Sequence, residues 1–497
     1  LTPDTRLWAL SLAIEMTLLP EVDILIRLAT IVCSLAETRS PVSFFVELSR
    51  VSESILPAAN PPSQSEDSNS LSAESIIAPA IAGDVAPAVA TAVGGSASTD
   101  LPQFFLKPRR ALPFFAQHPW VFEGAIHHIK GKPQPGDEVE LVSDRGEFIA
   151  RGLYNPDSNI VVRLYSWDEK VRLDEAFWSK RLDDALFLRN HLLNLTDPDG
   201  AARLVYSEAD GLSGLIVDRY RDWLLVQFTS RALAARKELI VRLLQEKLKP
   251  AGLWLRTEKG IREAESLELA DGSLSGNTPE RPMFIQEHNV RFGVDIVEGQ
   301  KTGFFLDQRD NRQLAARVLR GPRVLDLFCY SGGFSLNIAK AGHAKEIVAV
   351  DVSESALTMA RANAELNGVG HLIRFEKADA FKYIEQLQKN GDRFHSIILD
   401  PPKMARHRKS VPEAIRGYER LNRLAMLLLE PNGLLMTCSC SGHVDRMMFE
   451  EMLAAAAAAA GRRVQILETR GPSADHPTSV HCIENQYLKC YVCRVLP

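Results

Sequence analysis

Residues 324–334, Val-Leu-Asp-Leu-Phe-Cys-Tyr-Ser-Gly-Gly-Phe, constrain the fold of this chain more than any other stretch. An apolar run carrying Asp326 gives way to a turn with Gly332 and Gly333, and a helical pattern follows over 334–341. A strand, a tight glycine turn and a helix start bring backbone N–H groups against a nucleotide-like ligand. Two glycines without a third are not a dinucleotide fingerprint, and no Lys-Ser/Thr pair follows them to hold a triphosphate. Three later aspartates extend the pattern. Asp351 closes Glu-Ile-Val-Ala-Val, Asp379 follows Ile-Arg-Phe-Glu-Lys-Ala, and Asp400 closes Ser-Ile-Ile-Leu ahead of Pro401, Pro402 and Lys403. In a parallel sheet these carboxylates fall at one edge, the carboxyl ends where open α/β sheets bind ligands. Asp351, about 20 residues past the glycine turn, is placed to accept hydrogen bonds from ribose hydroxyls. Any one of these aspartates could simply cap the next helix. Four in this order argue for a site.

These residues resemble motifs one to four of the class I S-adenosylmethionine-dependent methyltransferases. The surrounding pattern predicts strands at 324–328, 347–351, 372–377, 396–400 and 434–438, alternating with helices at 334–341, 355–367, 381–388, 413–429 and 445–460. Such alternation gives a doubly wound α/β sheet. Two closing strands, 464–469 and 487–495, have no helix between them and predict an antiparallel edge.

At 497 residues the chain exceeds what one core supports. It opens on Leu, as expected of a fragment, a processed form or a translation lacking its true start. Residues 1–59 form an extension of no assignable function. Glu15, Glu21, Asp23 and Arg27 interrupt its apolar runs, which excludes an uninterrupted membrane span there. Its acids argue against a transit peptide, and no basic start marks a secretory signal. Residues 60–103, rich in Ala, Ser, Pro and Gly, read as a disordered linker. Short strands at 138–142, 148–153 and 160–165 predict a small β-barrel over 104–172. Residues 173–294 read as a helix, a strand, a hairpin, a second helix at 233–248 and another strand. The loop carrying Glu208 and Asp210 is expected to be structural. The doubly wound domain takes 295–497.

The formal net charge of -5 does not advertise nucleic-acid binding, so an RNA partner requires local basic clusters. Lys107, Arg109 and Arg110 form one at the start of the barrel. Lys403, Arg406 and Arg408 form another behind Asp400. Seven cysteines do not make a secreted disulfide framework in a chain of this size, and a reducing cytoplasm is expected.

The second informative stretch is residues 434–442, Leu-Leu-Met-Thr-Cys-Ser-Cys-Ser-Gly, which delivers Cys438 and Cys440 to the same sheet edge. If the strand persists, both thiols lie on one face. Methylation of cytosine carbon 5 requires such a nucleophile, because that carbon is unreactive until a thiolate adds at carbon 6. A carboxyl group at the nitrogen-3 edge, with Asp400 in that place, would stabilise the adduct. Methylation of a nitrogen needs no thiol, and both cysteines would then be small buried hydrophobes. Lys403, the residue after the Pro-Pro pair, is not the aromatic that would stack on a base for amino-nitrogen methylation. Cys490 and Cys493 are spaced to point to opposite faces of a strand, which argues against a zinc pair.

With these residues assembled, the chain resembles the bacterial 23S ribosomal RNA (cytosine-5)-methyltransferase I family from about Phe104 onward. The resemblance rests on residues 118–122 (His-Pro-Trp-Val-Phe), 208–212, 301–309 (Lys-Thr-Gly-Phe-Phe-Leu-Asp-Gln-Arg), the glycine turn, 400–403, 416–418 (Arg-Gly-Tyr), 439–442 and 475–477 (Asp-His-Pro). It implies an N-terminal PUA barrel, a central domain and a C-terminal class I methyltransferase domain. S-adenosylmethionine is the implied cofactor and 23S ribosomal RNA the implied partner, with no metal and no membrane, and a homodimer is left open. Cofactor contacts are implied for Lys301, Thr302, Gln308, Asp326, Gly332, Gly333, Asp351, Asp379 and Asp400. The family thiol sits in Ser-Cys-Ser-Gly, here Cys440, while Cys438 departs from the pattern. A guanine nitrogen methyltransferase and a non-catalytic ribosome-assembly factor are the competing readings.

Overall fold

The computed structural model describes residues 101–299 and 303–497. The expected extension, the linker up to residue 100, and Lys301 and Thr302 lie outside the described residues. Folded chain begins slightly before the expected boundary, because Gln103 already pairs in the first strand.

Six strands form the first sheet: β1 (Gln103–Leu106), β2 (Trp120–Phe122), β3 (Ile126–Lys130), β4 (Glu138–Val142), β5 (Phe148–Tyr154) and β6 (Ile160–Ser166). Their order is β2-β6-β5-β4-β1-β3. Phe104, Val121, Leu141, Ile149 and Val162 come from strands across the whole sheet yet pack into one core. The sheet therefore wraps around its own apolar face, as a small barrel does.

The central segment comprises α1 (Glu175–Phe187), β7 (Ala201–Tyr206), β8 (Leu215–Tyr220), β9 (Trp223–Phe228), α2 (Lys237–Leu248), β10 (Gly252–Leu255) and β11 (Gly272–Ser275). The strands lie in the order β11-β10-β9-β8-β7. Asp174 starts α1 by accepting from the Phe177 N–H. The helix expected over 233–248 is split: a short helical turn ends at Ala234 and α2 begins at Lys237.

A hairpin of β12 (Met283–Glu287) and β13 (Val290–Val294) was not foreseen. The sequence assigns these residues to the central segment, yet Ile285, Phe292 and Val294 share a core with Val324, Leu336 and Ile347 of the doubly wound domain. Asn363 fixes the hairpin there by accepting from the Gly293 N–H at 2.7 Å.

That domain runs through α3 (Arg309–Val318), β14 (Arg323–Leu327), α4 (Gly333–Ala341), β15 (Glu346–Asp351), α5 (Glu354–Leu366), β16 (Ile373–Lys377), α6 (Ala380–Asn390), β17 (Phe394–Leu399), α7 (Val411–Leu428), β18 (Leu429–Ser439), α8 (Arg446–Ala460), β19 (Val464–Arg470) and β20 (Lys489–Val495). The sheet order is β16-β15-β14-β17-β18-β20-β19. Strands β14 to β18 are parallel, and β20 runs antiparallel to both β18 and β19. Alternate residues serve opposite faces. Ile347, Ala349, Ile398 and Met436 meet α3, α4 and α5, while Val348, Val350, Ile397 and Leu435 meet α6, α7 and α8. A strand buried on both sides reads as the continuous apolar runs seen in the sequence. Among the described residues, no helix is long and apolar enough to cross a membrane.

Buried ion pairs join the segments. Glu208 accepts from Trp120 Nε1 and Arg163 Nη1 of the barrel, each at 3.0 Å, so the acidic loop is structural as expected. Asp475 receives both Arg309 terminal nitrogens at 3.0 Å and the Arg203 N–H at 3.0 Å, tying the central sheet to α3.

Candidate active site

The parallel strands carry Asp326, Asp351 and Asp400 to one edge of the sheet, and the chain leaving β18 brings Cys440 to it. Asp326 is buried, and its Oδ2 accepts from the Ser335 hydroxyl at 2.6 Å and the Ser335 N–H at 3.1 Å. Its Oδ1 has no partner among the described residues. Burial pushes this carboxyl up to about 7; the Ser335 bonds work against that, and Asp400 and Asp351 add to it.

Between β14 and α4 the backbone turns through left-handed conformations at Phe328 (φ 67°), Tyr330 (φ 49°) and Gly332 (φ 83°). Two of these residues carry side chains, an uncommon strain that functional turns retain. The turn aims the Tyr330 N–H at Asp351 Oδ2, 2.9 Å away, while Asp351 Oδ1 accepts from the Ser353 N–H at 2.9 Å. Two backbone donors thus orient a half-buried carboxylate beside the glycine turn. Asp379 is exposed and its Oδ1 caps α6 by accepting from the Lys382 N–H at 3.0 Å.

Gln308, in the turn before α3, donates to Asp400 Oδ2 at 3.0 Å and accepts from Asn311 Nδ2 at 2.6 Å. The two thiols have different surroundings. Cys438 lies inside β18, fully buried and opposite Cys490 of β20. Hydrogen bonding to Cys490 and burial hold its thiol well above the ordinary range. Cys440 lies just past the end of β18, only partly buried, with Sγ 3.8 Å from the Pro401 carbonyl oxygen beside Asp400. Both thiols face the same core, as alternation requires, and Cys490 and Cys493 fall on opposite faces.

The chain around Cys440 is pinned on both sides. Ser439 Oγ donates to the Tyr418 hydroxyl at 3.0 Å, which lies 3.1 Å from Ser441 Oγ. Ser441 Oγ also accepts from the Ala405 N–H at 3.1 Å. Three separate sequence motifs, at 400–403, 416–418 and 439–442, therefore build one loop cluster. Tyr418 and Ala405 carry no chemistry that a sequence could flag; only Tyr418's nearness to an Arg-Gly pair marked it.

Lys403, Arg406 and Arg408 are exposed on the loop after Asp400, and Lys107, Arg109 and Arg110 are exposed in the turn that follows β1. Lys107 Nζ donates to the Gly124 carbonyl at 2.9 Å. The two basic groups belong to different domains.

A PUA-like domain model matches residues 104–167, and an S-adenosylmethionine-dependent methyltransferase model matches residues 230–477. The Ribosomal RNA large subunit methyltransferase I of Tolumonas auensis is 40% identical over 394 residues, covering 79% of this chain and 99% of that protein. Its namesake from Photobacterium profundum is 41% identical over 381 residues, 76% of this chain and 96% of that protein. The chain belongs to the ribosomal RNA large subunit methyltransferase I family. Among solved structures, SMU.776, a proposed methyltransferase complexed with SAH, superposes with a TM-score of 0.68 at 20% identity, over 79% of this chain and 99% of that one. A proposed SAM-dependent methyltransferase from Streptococcus mutans gives 0.67 at 19% identity, over 79% and 99%. At that identity the likeness is one of fold.

Membership in the methyltransferase I family makes this an S-adenosylmethionine-dependent fold, and the site suits that cofactor. The unpartnered oxygen of buried Asp326 and the oriented carboxylate of Asp351 offer acceptors to an amine or to hydroxyls, beside a glycine turn open to close approach.

Proposed function

We propose that this protein forms 5-methylcytidine in large-subunit ribosomal RNA, with Cys440 as the nucleophile and Asp400 beside the target base. The observation that carries this reading is the contrast between the thiols: Cys440 reaches the sheet edge next to Asp400, whereas Cys438 is sealed against Cys490. The Cys440 thiolate adds to carbon 6 of the cytosine, making an S–C bond and moving the ring electrons toward carbon 5 and nitrogen 3. Asp400, held by Gln308, gives nitrogen 3 a proton from its carboxylic acid form as the adduct forms and takes it back when the thiolate leaves. S-adenosylmethionine, when bound, supplies the electrophilic methyl group for carbon 5. Loss of the carbon-5 proton and elimination of the thiolate restore the ring. Asp351 holds ribose hydroxyls, and Lys403, Arg406 and Arg408 with the cluster at Lys107, Arg109 and Arg110 meet RNA phosphates. This reading carries a cytoplasmic setting.

The test uses RNA with 5-fluorocytidine at the target, whose fluorine cannot leave, so the covalent adduct persists. Wild type and Cys438→Ala should be trapped and Cys440→Ala should not. Trapping through Cys438 instead would reassign the nucleophile. Full turnover by the double variant would replace carbon-5 chemistry with nitrogen methylation.

A further inference from the structure

Lys489 opens β20 directly opposite Ser439 of β18, and its side chain is buried, 4% exposed. Its ammonium donates to the Ser441 carbonyl at 2.7 Å and the Tyr487 carbonyl at 2.8 Å. Among the described residues it makes no ion pair. An ammonium removed from water with only neutral acceptors is costly, and lysine is rarely left this way in a fold. The cost falls at the residue after Cys440, in a loop that Tyr418, Ser439 and Ala405 already hold without it.

We propose that Lys489 is a positioning residue that keeps a buried positive charge beside Cys440 and so favours its thiolate. This deepens the reading of Cys440 as nucleophile and rests on it for its purpose, though not for its test. Burial pulls the Lys489 ammonium down to about 8, and a negative charge on Cys440 pushes it back up. Interactions between two charges are mutual, so the cation favours the anion equally. Other charged groups act on Lys489: Asp445 and Arg446 at the start of α8, and Lys403 after the Pro-Pro pair. Asp445, Arg446 and Lys403 are exposed and screened by water. Half-buried Asp400 precedes Pro401, whose carbonyl lies 3.8 Å from Cys440 Sγ, so a negative charge there works against the thiolate. Tyr418, its phenol raised to about 12 chiefly by burial, stays neutral. Lys489 is the buried cation of the set.

The test follows iodoacetamide alkylation of Cys440 against pH in the full-length protein, read by peptide mass spectrometry, for wild type, Lys489→Met and Lys489→Arg. In wild type the midpoint should lie below the ordinary thiol value of about 8.5. In Lys489→Met it should rise by about one pH unit or more, which is about tenfold slower alkylation near neutrality, and Lys489→Arg should restore much of the shift. An unchanged midpoint in folded Lys489→Met overturns the proposal. If that variant does not fold, a wild-type midpoint at or above 8.5 overturns it equally. Fluorocytidine trapping is scored separately. Trapping without a midpoint shift removes Lys489 and leaves Cys440 as nucleophile; a shift without trapping does the reverse.

Discussion

Gln308 donates its amide to Asp400 across 3.0 Å, linking the turn before α3 to the end of β17. Asn311 locks the other end of that amide at 2.6 Å, so the carboxylate is held by a side chain that cannot swing. The contact places a segment outside the parallel sheet in control of a group at its edge.

Replacing Gln308 with Leu should therefore leave the fold intact and slow methyl transfer by roughly 10- to 100-fold, equivalent to the roughly 1.5–3 kcal/mol of a hydrogen bond to a charged group. Single-turnover rates at saturating cofactor measure this. Wild-type rates in the variant would show that Asp400 needs no such support.

Asp351→Ala should weaken S-adenosylmethionine binding by roughly 1.5–3 kcal/mol, through loss of a charged acceptor for ribose hydroxyls. Calorimetry on the full protein without RNA gives the answer. Undiminished affinity would remove Asp351 from the site.

Asp475 is a buried charge with partners on two sides. Burial alone would raise its carboxyl, but His476 and Arg309 more than offset that and hold it far below the usual range. A depressed carboxyl contributes stability at neutral pH that is lost as pH falls below about 4 toward the folded-state value. Asp475→Ala strands Arg309 and should cost roughly 3–5 kcal/mol. Urea unfolding at pH 7 measures it, and a loss under 1 kcal/mol would mean that water replaces the carboxylate.

The opposite sign holds for Asp326. Its folded-state value, raised to about 7, lies above the unfolded one, so its contribution to stability declines as pH rises from about 4 to 7. Asp326→Asn keeps an acceptor for Ser335 and should flatten that decline, leaving the cofactor-free protein more stable at pH 8 by an amount on the order of a few kcal/mol. Denaturant midpoints across pH 5–8 decide it; parallel curves for the two proteins would contradict the raised value.

Most of the doubly wound sheet was legible because its strands are buried on both faces and write themselves as apolar runs. The expected 324–328 and 434–438 correspond to Arg323–Leu327 and the end of Leu429–Ser439. Helix α3 escaped because its first turn is buried through polar groups: Arg309, Asn311 and Arg312 are held by ion pairs and amide bonds, which leaves only Leu314 and Ala315 as buried apolar positions, too few to mark a hydrophobic period. Strand β3 escaped for the converse reason, being exposed along four of its five residues and so lacking alternation. At the site, the aspartates and Cys440 stood out as chemistry at strand ends. The contact of Gln308 with Asp400 joins residues 92 apart, and the position of Lys489 depends on strand pairing; neither leaves a local trace.

Strand β20 sits between β18 and β19 although it follows both in the chain. During synthesis, β18 and β19 leave the ribosome first and cannot pair with each other in the native arrangement. The gap between them closes only when residues 489–495 emerge. A nascent chain stalled short of that point would have β14 to β17 in place and an open seam beside Cys440, so catalytic competence should switch on only once residues 489–495 have emerged rather than build up with length.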